Sequence, residues 1–281
     1  MEECKVKQIL KGQYVMEGAG VRLKRLFGFQ DTALTDPFLL FDHFGSKNPA
    51  EYLKGFPWHP HRGMETVTYM ISGQVEHQDS LGNSGIISPG DAQWMTAGSG
   101  IIHQEMPLEA EDSLSGFQLW VNLPKTDKMG PPRYRDIKAG GIPVHRQEGI
   151  SIKVLSGRIK GTEGASRDIS GDPIYADIFM EAGCRLELPV PQGYKAFCYF
   201  FQGEFLTGGE ELQTIGNAMV IFTPGDGVTV QTKDVYGRFI FFAGAPLNEP
   251  VAWQGPIVMN TRDELETAFK EFREGTFIKK N

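Results

Sequence analysis

The sequence predicts an all-β chain built from a duplicated β domain, with one short α-helix near its end. Three observations predict it. Short apolar runs punctuated by turn residues recur along most of the 281 positions, among which are 34 Gly and 17 Pro. Regularly spaced runs of that kind mark a sandwich or barrel. Two Pro-Gly-Asp turns, Pro89-Gly90-Asp91 and Pro224-Gly225-Asp226, hold matching places in the two halves. A helical apolar period occurs convincingly only after residue 260.

The strand signals are clearest at 65–72 (ETVTYMIS), 116–123 (GFQLWVNL), 196–201 (AFCYFF) and 219–222 (MVIF). In each Pro-Gly-Asp turn, Pro sets φ at the first corner and Gly supplies the positive φ of the second. The order strand, Gly turn, strand, Pro-Gly-Asp turn, strand occurs twice, with 16 residues from Gly73 to Pro89 and 21 from Gly203 to Pro224. A repeat of that size points to a duplicated domain. Between the halves, 124–143 holds Gly130-Pro131-Pro132 and Gly140-Gly141 and reads as a linker. Near the end, Thr261-Arg262-Asp263-Glu264 is a capping box, and Leu265, Ala268, Phe269 and Phe272 follow on one helical face. The segment 36–44 (DPFLLFDHF) could begin a helix but is short.

Composition narrows the function. A formal net charge of −7 argues against a nucleic-acid surface, which needs a basic face. No apolar run approaches the ~20 residues that span a bilayer, and the N-terminus has no signal-peptide core. A soluble, cytoplasmic protein is expected. Cys4, Cys184 and Cys198 match no metal-binding spacing and read as buried free thiols.

The chemistry is carried by histidine. The chain has six, and His59 and His61 stand one residue apart. On an extended chain, positions i and i+2 share a face. A second pair, His103 and Glu105, follows the same rule together with Ile101. Strands ~4.8 Å apart would let four such side chains meet at one ion. Glu65, four residues after His61, has the same parity and is a fifth inward candidate. Spacing does not choose between Glu65 and Glu105. Three His and one carboxylate leave two open positions on an octahedral ion, the arrangement that dioxygen and a chelating substrate need. His43, His77 and His145 lack paired neighbours and read as ordinary hydrogen-bonded residues, His77 in a polar, exposed stretch and His145 in the linker. No histidine follows His145, so the second half lacks the site. Phe56, Trp58 and Met95 are candidates for an apolar mouth.

These residues resemble a known pattern. Gly55, His59, His61, Glu65 and Gly73, followed by Pro89, Gly90 and His103, are similar to the two-part cupin signature, although three residues rather than five separate Gly55 from His59. More closely, DPFLLFD at 36–42, HPHRG at 59–63, QWMTAG at 93–98, IHQEMP at 102–107, LWVNL at 119–123 and GPIVMNT at 255–261 resemble pirin motifs. The resemblance covers nearly the whole chain. It implies a bicupin of two stacked jelly-roll β-barrels: residues 1–135 as the metal-binding barrel, and 145–281 as a second barrel with the terminal helix. It implies one metal, iron(II) in the first place, with nickel, cobalt, copper, manganese or zinc as alternatives, held by His59, His61, His103 and Glu105. Glu65 then becomes a non-ligand. The implied activity is quercetin 2,3-dioxygenase chemistry: a flavonol and dioxygen bind, Glu105 acts as base, and the ring opens with release of carbon monoxide. The implied alternative is a metal- and redox-dependent regulatory cofactor that binds a transcription factor or metabolic enzyme. A monomer is expected, with no direct contact to nucleic acid or membrane.

Overall fold

Alternating burial is plainest in the strand Ile101–Pro107, where every second side chain from Ile101 is buried. The computed structural model, which describes residues 2–208 and 213–279, is almost entirely such strands joined by antiparallel ladders. By contacts the chain forms two units. One comprises Gln13–Ala139 and the stretch from Leu247 onward, and the other comprises the stretch up to Gly12 and Gly140–Pro246.

The unit with the histidine pairs has a seven-stranded sheet, in spatial order Arg133–Ile137, Ala92–Thr96, Met64–Ser72, Ser115–Asn122, Phe38–Phe44, Val21–Phe27 and Gln13–Glu17. A four-stranded sheet accompanies it, in the order Phe56–His61, Ile101–Pro107, Val75–Asp79 and Ser84–Ile87. Phe56–His61 contains Pro57 and Pro60, which cannot donate to a ladder, and it lies at the sheet edge where prolines are tolerated.

The other unit repeats this plan. Its seven-stranded sheet runs Val6–Leu10, Ala218–Phe222, Lys195–Gln202, Gly237–Gly244, Ile174–Met180, Ile150–Ser156 and Val144–Gln147. Its four-stranded sheet runs Arg185–Pro189, Gly227–Thr232, Phe205–Thr207 and Gln213–Ile215. Taken in chain order, each strand has a counterpart at the same place in the first unit, except the outermost of the large sheet. That strand is Arg133–Ile137 in one unit and Val6–Leu10, from the opposite end of the chain, in the other. The strands equivalent to the two ligand strands carry Leu186, Leu188, Val228 and Val230, all buried in a hydrophobic core. Hydrocarbon fills the space that imidazoles occupy in the first unit.

Four expectations are corrected here. Segment 36–44 is not helical beyond the single turn Thr32–Thr35 before it; Phe38–Phe44 is a strand, buried on nearly every side chain, which erased its period-two signal. The linker contains the strand Arg133–Ile137, paired with Ala92–Thr96 and disguised by its charges. The terminal helix, Arg262–Arg273, has the expected reciprocal cap between Thr261 and Glu264, but it belongs to the first unit, packing Leu265 and Ala268 against Ile257 and Met259. His145 is likewise not in a linker but on the strand Val144–Gln147. All three cysteines are free, as expected, though Cys184 is only half-buried. Among the described residues no helix is long and apolar enough to cross a membrane.

Candidate metal centre

The two ligand strands are direct neighbours. Phe56–His61 pairs with Ile101–Pro107 so that His103 stands opposite His59 and Ile101 opposite His61. Ligating atoms of His59, His61 and His103 lie within 4.8 Å of one another.

Hydrogen bonds decide which nitrogen each ring turns inward. His59 Nδ1 lies 2.9 Å from the carbonyl of Pro57, and His61 Nδ1 lies 3.1 Å from that of Pro256. A carbonyl only accepts, so both Nδ1 atoms carry a proton, and in the neutral imidazole Nε2 then presents its lone pair. Those two Nε2 atoms are 3.1 Å apart. Two lone pairs facing at that distance repel unless a proton or cation lies between them. His103 Nε2 is buried with no hydrogen-bond partner. Three unprotonated nitrogens therefore converge on one space, and this donor set fits a divalent transition metal. Burial, reinforced by the neighbouring rings, pushes the pKa of His61 and of His103 well below the ordinary histidine value. Both are neutral near pH 7, the ligating form.

Behind His103 is a chain that the sequence reading did not find. His103 Nδ1 lies 3.4 Å from His77 Nδ1, and His77 Nε2 lies 3.2 Å from Asp79 Oδ2. The carboxylate accepts from His77 Nε2, so in the neutral imidazole His77 Nδ1 accepts from His103 and leaves His103 Nε2 bare. Burial raises the pKa of Asp79, but bonds from His77, Asn83 and Leu81 outweigh it and hold the carboxyl below its ordinary value. His77 is fully buried, which corrects the expectation of an exposed polar stretch. Val75, His77 and Asp79 alternate inward as the other ligand pairs do, so the signal was present.

Glu105 is buried and lines the same cavity, but it falls outside the group of three histidines. Its Oε1 lies 2.8 Å from the Thr68 hydroxyl. Glu65 turns elsewhere, accepting from Trp94 Nε1 (3.0 Å) and the Thr96 hydroxyl (2.6 Å). His43 and His145 stay away from the centre, beside Ser115 and Thr162.

The loop after the histidines is pinned from below. Gly63 has φ +77°, and a Cβ there would lie 1.9 Å from the Val258 carbonyl oxygen. Buried Arg62 donates to Ser99 O, Glu271 Oε2 and Phe277 O at 2.7, 2.7 and 2.9 Å. Buried Lys128 donates to Gly63 O, Asn122 Oδ1 and Val258 O at 2.7, 2.6 and 3.3 Å.

Above the centre opens a cavity of about 660 Å³, lined among others by His59, His61, Glu105, Phe56, Trp120 and Trp253. The ring of Trp120 meets His61 edge-on at 5.1 Å. Of the three expected mouth residues only Phe56 lines the cavity. Trp58 is half-exposed and outside the lining, and Met95 packs with Ala97 and Ile101 in the core.

The family models for pirin and for the pirin C-terminal cupin domain match residues 20–121 and 175–278. The chain belongs to the pirin family. It is 40% identical to human pirin over 262 residues, covering 92% of this chain and 88% of that one. A solved quercetin 2,3-dioxygenase from Acinetobacter baumannii superposes with a TM-score of 0.88 at 31% identity, covering 98% of each chain. The bacterial pirin YhhW from Escherichia coli, solved in complex with nickel(II), shares the fold with a TM-score of 0.68 at 18% identity, covering 85% of this chain and 99% of that one. Both units of this pirin-family chain are therefore cupin domains, and among the described residues only the first holds a group of three histidines.

Proposed function

We propose that this pirin-family chain is a metal-dependent flavonol 2,3-dioxygenase, with His59, His61, His103 and Glu105 as its metal ligands and iron(II) as the native ion. The observation that carries this reading is the convergence of three imidazole nitrogens, two of them from residues that line a large, aromatic-walled cavity. Likeness to the A. baumannii quercetin 2,3-dioxygenase over 98% of both chains supports the substrate class. A divalent transition metal bound there supplies Lewis-acid polarisation of the flavonol hydroxyl and the electron exchange that dioxygen requires.

The protein's own groups do the rest. Glu105 is the carboxylate that takes the proton of the flavonol 3-hydroxyl, at an oxygen oriented by the Thr68 hydroxyl. Trp120, Phe56 and Trp253 hold the planar ligand between apolar walls and keep water from the reacting ring. The carbonyls of Pro57 and Pro256 hold the two strand imidazoles in their ligating tautomer.

Iron-loaded protein incubated with quercetin under oxygen should consume the flavonol absorbance at a rate that the His59→Ala, His61→Ala double variant lacks. No difference between the two proteins removes the enzyme reading. The regulatory alternative instead predicts no turnover, with partner capture that differs between ferrous and ferric protein.

A further inference from the structure

One row of side chains crosses the large sheet of the first unit at right angles to its strands. The register places Arg25 opposite Asp42, Asp42 opposite Gln118, and Gln118 opposite Thr68. All four line the cavity. Two positions along the same strands the lining turns apolar, with Leu23, Leu40, Phe44 and Trp120. The floor is thus a polar stripe between hydrocarbon banks.

The stripe has two poles. At one end the single Thr68 hydroxyl proton is shared between Gln118 Oε1 (2.6 Å) and Glu105 Oε1 (2.8 Å), next to the histidine centre. At the other end Arg25 forks onto Asp42 at 2.9 and 2.8 Å and donates to Glu17 Oε1 at 2.8 Å. Asp42 is two strands from Thr68, roughly 10 Å. A buried ion pair is often a structural tie, and Glu17 and Arg25 do stand on paired strands, but all three members of this one also line the cavity wall. Arg25 has five N–H donors and uses three of them here. One guanidinium facing two carboxylates leaves a net negative pole rich in acceptor lone pairs. Such a pole repels anions and accepts from neutral hydroxyls. Burial, opposed by the bonds from Arg25, raises the Asp42 pKa to about 6, so the carboxylate is charged near neutral pH.

We infer that Glu17, Asp42 and Arg25 form a second recognition subsite, which accepts hydroxyl groups on the ring of the substrate remote from its metal-chelating end. This rests on the flavonol reading and deepens it. The preferred substrate is a planar polyphenol hydroxylated at both ends, and the Gln118 amide, which makes no other hydrogen bond among the described residues, bridges the two poles.

The test is anaerobic titration of nickel-loaded protein with quercetin and with 3-hydroxyflavone, which keeps the chelating group but lacks the remote hydroxyls. Wild-type protein should bind quercetin about tenfold more tightly, since a hydrogen bond to a charged group is worth ~1.5–3 kcal/mol at a desolvated site. Glu17→Gln, at a partly exposed position that tolerates change, should shrink that ratio to about two, the loss of one charged acceptor. Equal affinity of wild type for both ligands, or an undiminished ratio in Glu17→Gln, overturns the subsite. Binding of neither ligand overturns it together with the flavonol reading, so the two failures are distinguishable.

Discussion

Replacing His77 with Phe tests the chain behind the metal centre without touching a ligand. Phenylalanine keeps a flat ring against Tyr134, with which His77 stacks at 4.9 Å and 26°. It removes the acceptor at Nδ1, 3.4 Å from His103 Nδ1. His103 is then free to carry its proton on Nε2, the atom that faces the other two imidazoles, and each binding event must first undo that tautomer. Losing such an orienting partner costs 10- to 100-fold in metal affinity, about 1.4–2.7 kcal/mol. The contact is long for a hydrogen bond, which places the expected loss at the tenfold end. The assay is competition for nickel or zinc with a chromophoric chelator at pH 7.5, alongside urea unfolding of the metal-free protein. His77→Gln, whose amide oxygen can accept in place of Nδ1, should recover part of the loss. A His77→Phe affinity within twofold of wild type, in a protein that unfolds normally, would refute the reasoning.

Three further outcomes are expected. Gly63→Ala forces a side chain onto the Val258 carbonyl at a positive-φ position, and should lower stability by ~3 kcal/mol or more in urea while reducing bound metal. Lys128→Met strips donors from three buried carbonyl oxygens and should cost ~2–4 kcal/mol, read from the denaturation midpoint. Burial, with Lys24 nearby, lowers the His43 pKa to about 4, so between pH 6.5 and 4 the unfolded chain binds a proton that the folded one refuses. That contribution is whole above pH 6.5 and is lost as pH falls toward 4, ~2–3 kcal/mol after discounting for partial exposure. His43→Gln should flatten the stability profile over that interval.

The all-β class, the repeat and the terminal cap were legible because each is written locally. Alternating residues, turn chemistry and a capping box need no knowledge of distant chain. The histidine pairs were legible for the same reason, since i and i+2 on a strand share a face whatever surrounds them. Three things were hidden. Phe38–Phe44 is covered on both sides, so its apolar run carries no alternation. His77 sits between Glu76 and Gln78, whose outward polarity masked an inward His and Asp. The supports from Pro256, Glu271 and Phe277 come from 195 to 215 residues downstream, and no local pattern announces a partner at that separation. The polar floor lay equally out of reach, because its members meet only through strand register.

Those downstream supports have a consequence for biosynthesis. All three imidazoles have been translated by residue 103, yet the carbonyl that sets the His61 tautomer and two of the three groups that hold Arg62 emerge more than 150 residues later. A nascent chain therefore displays the ligands long before it can arrange them. Loading with the ion becomes a late event, and a prematurely released polypeptide would carry the right amino acids with little grip on a cation.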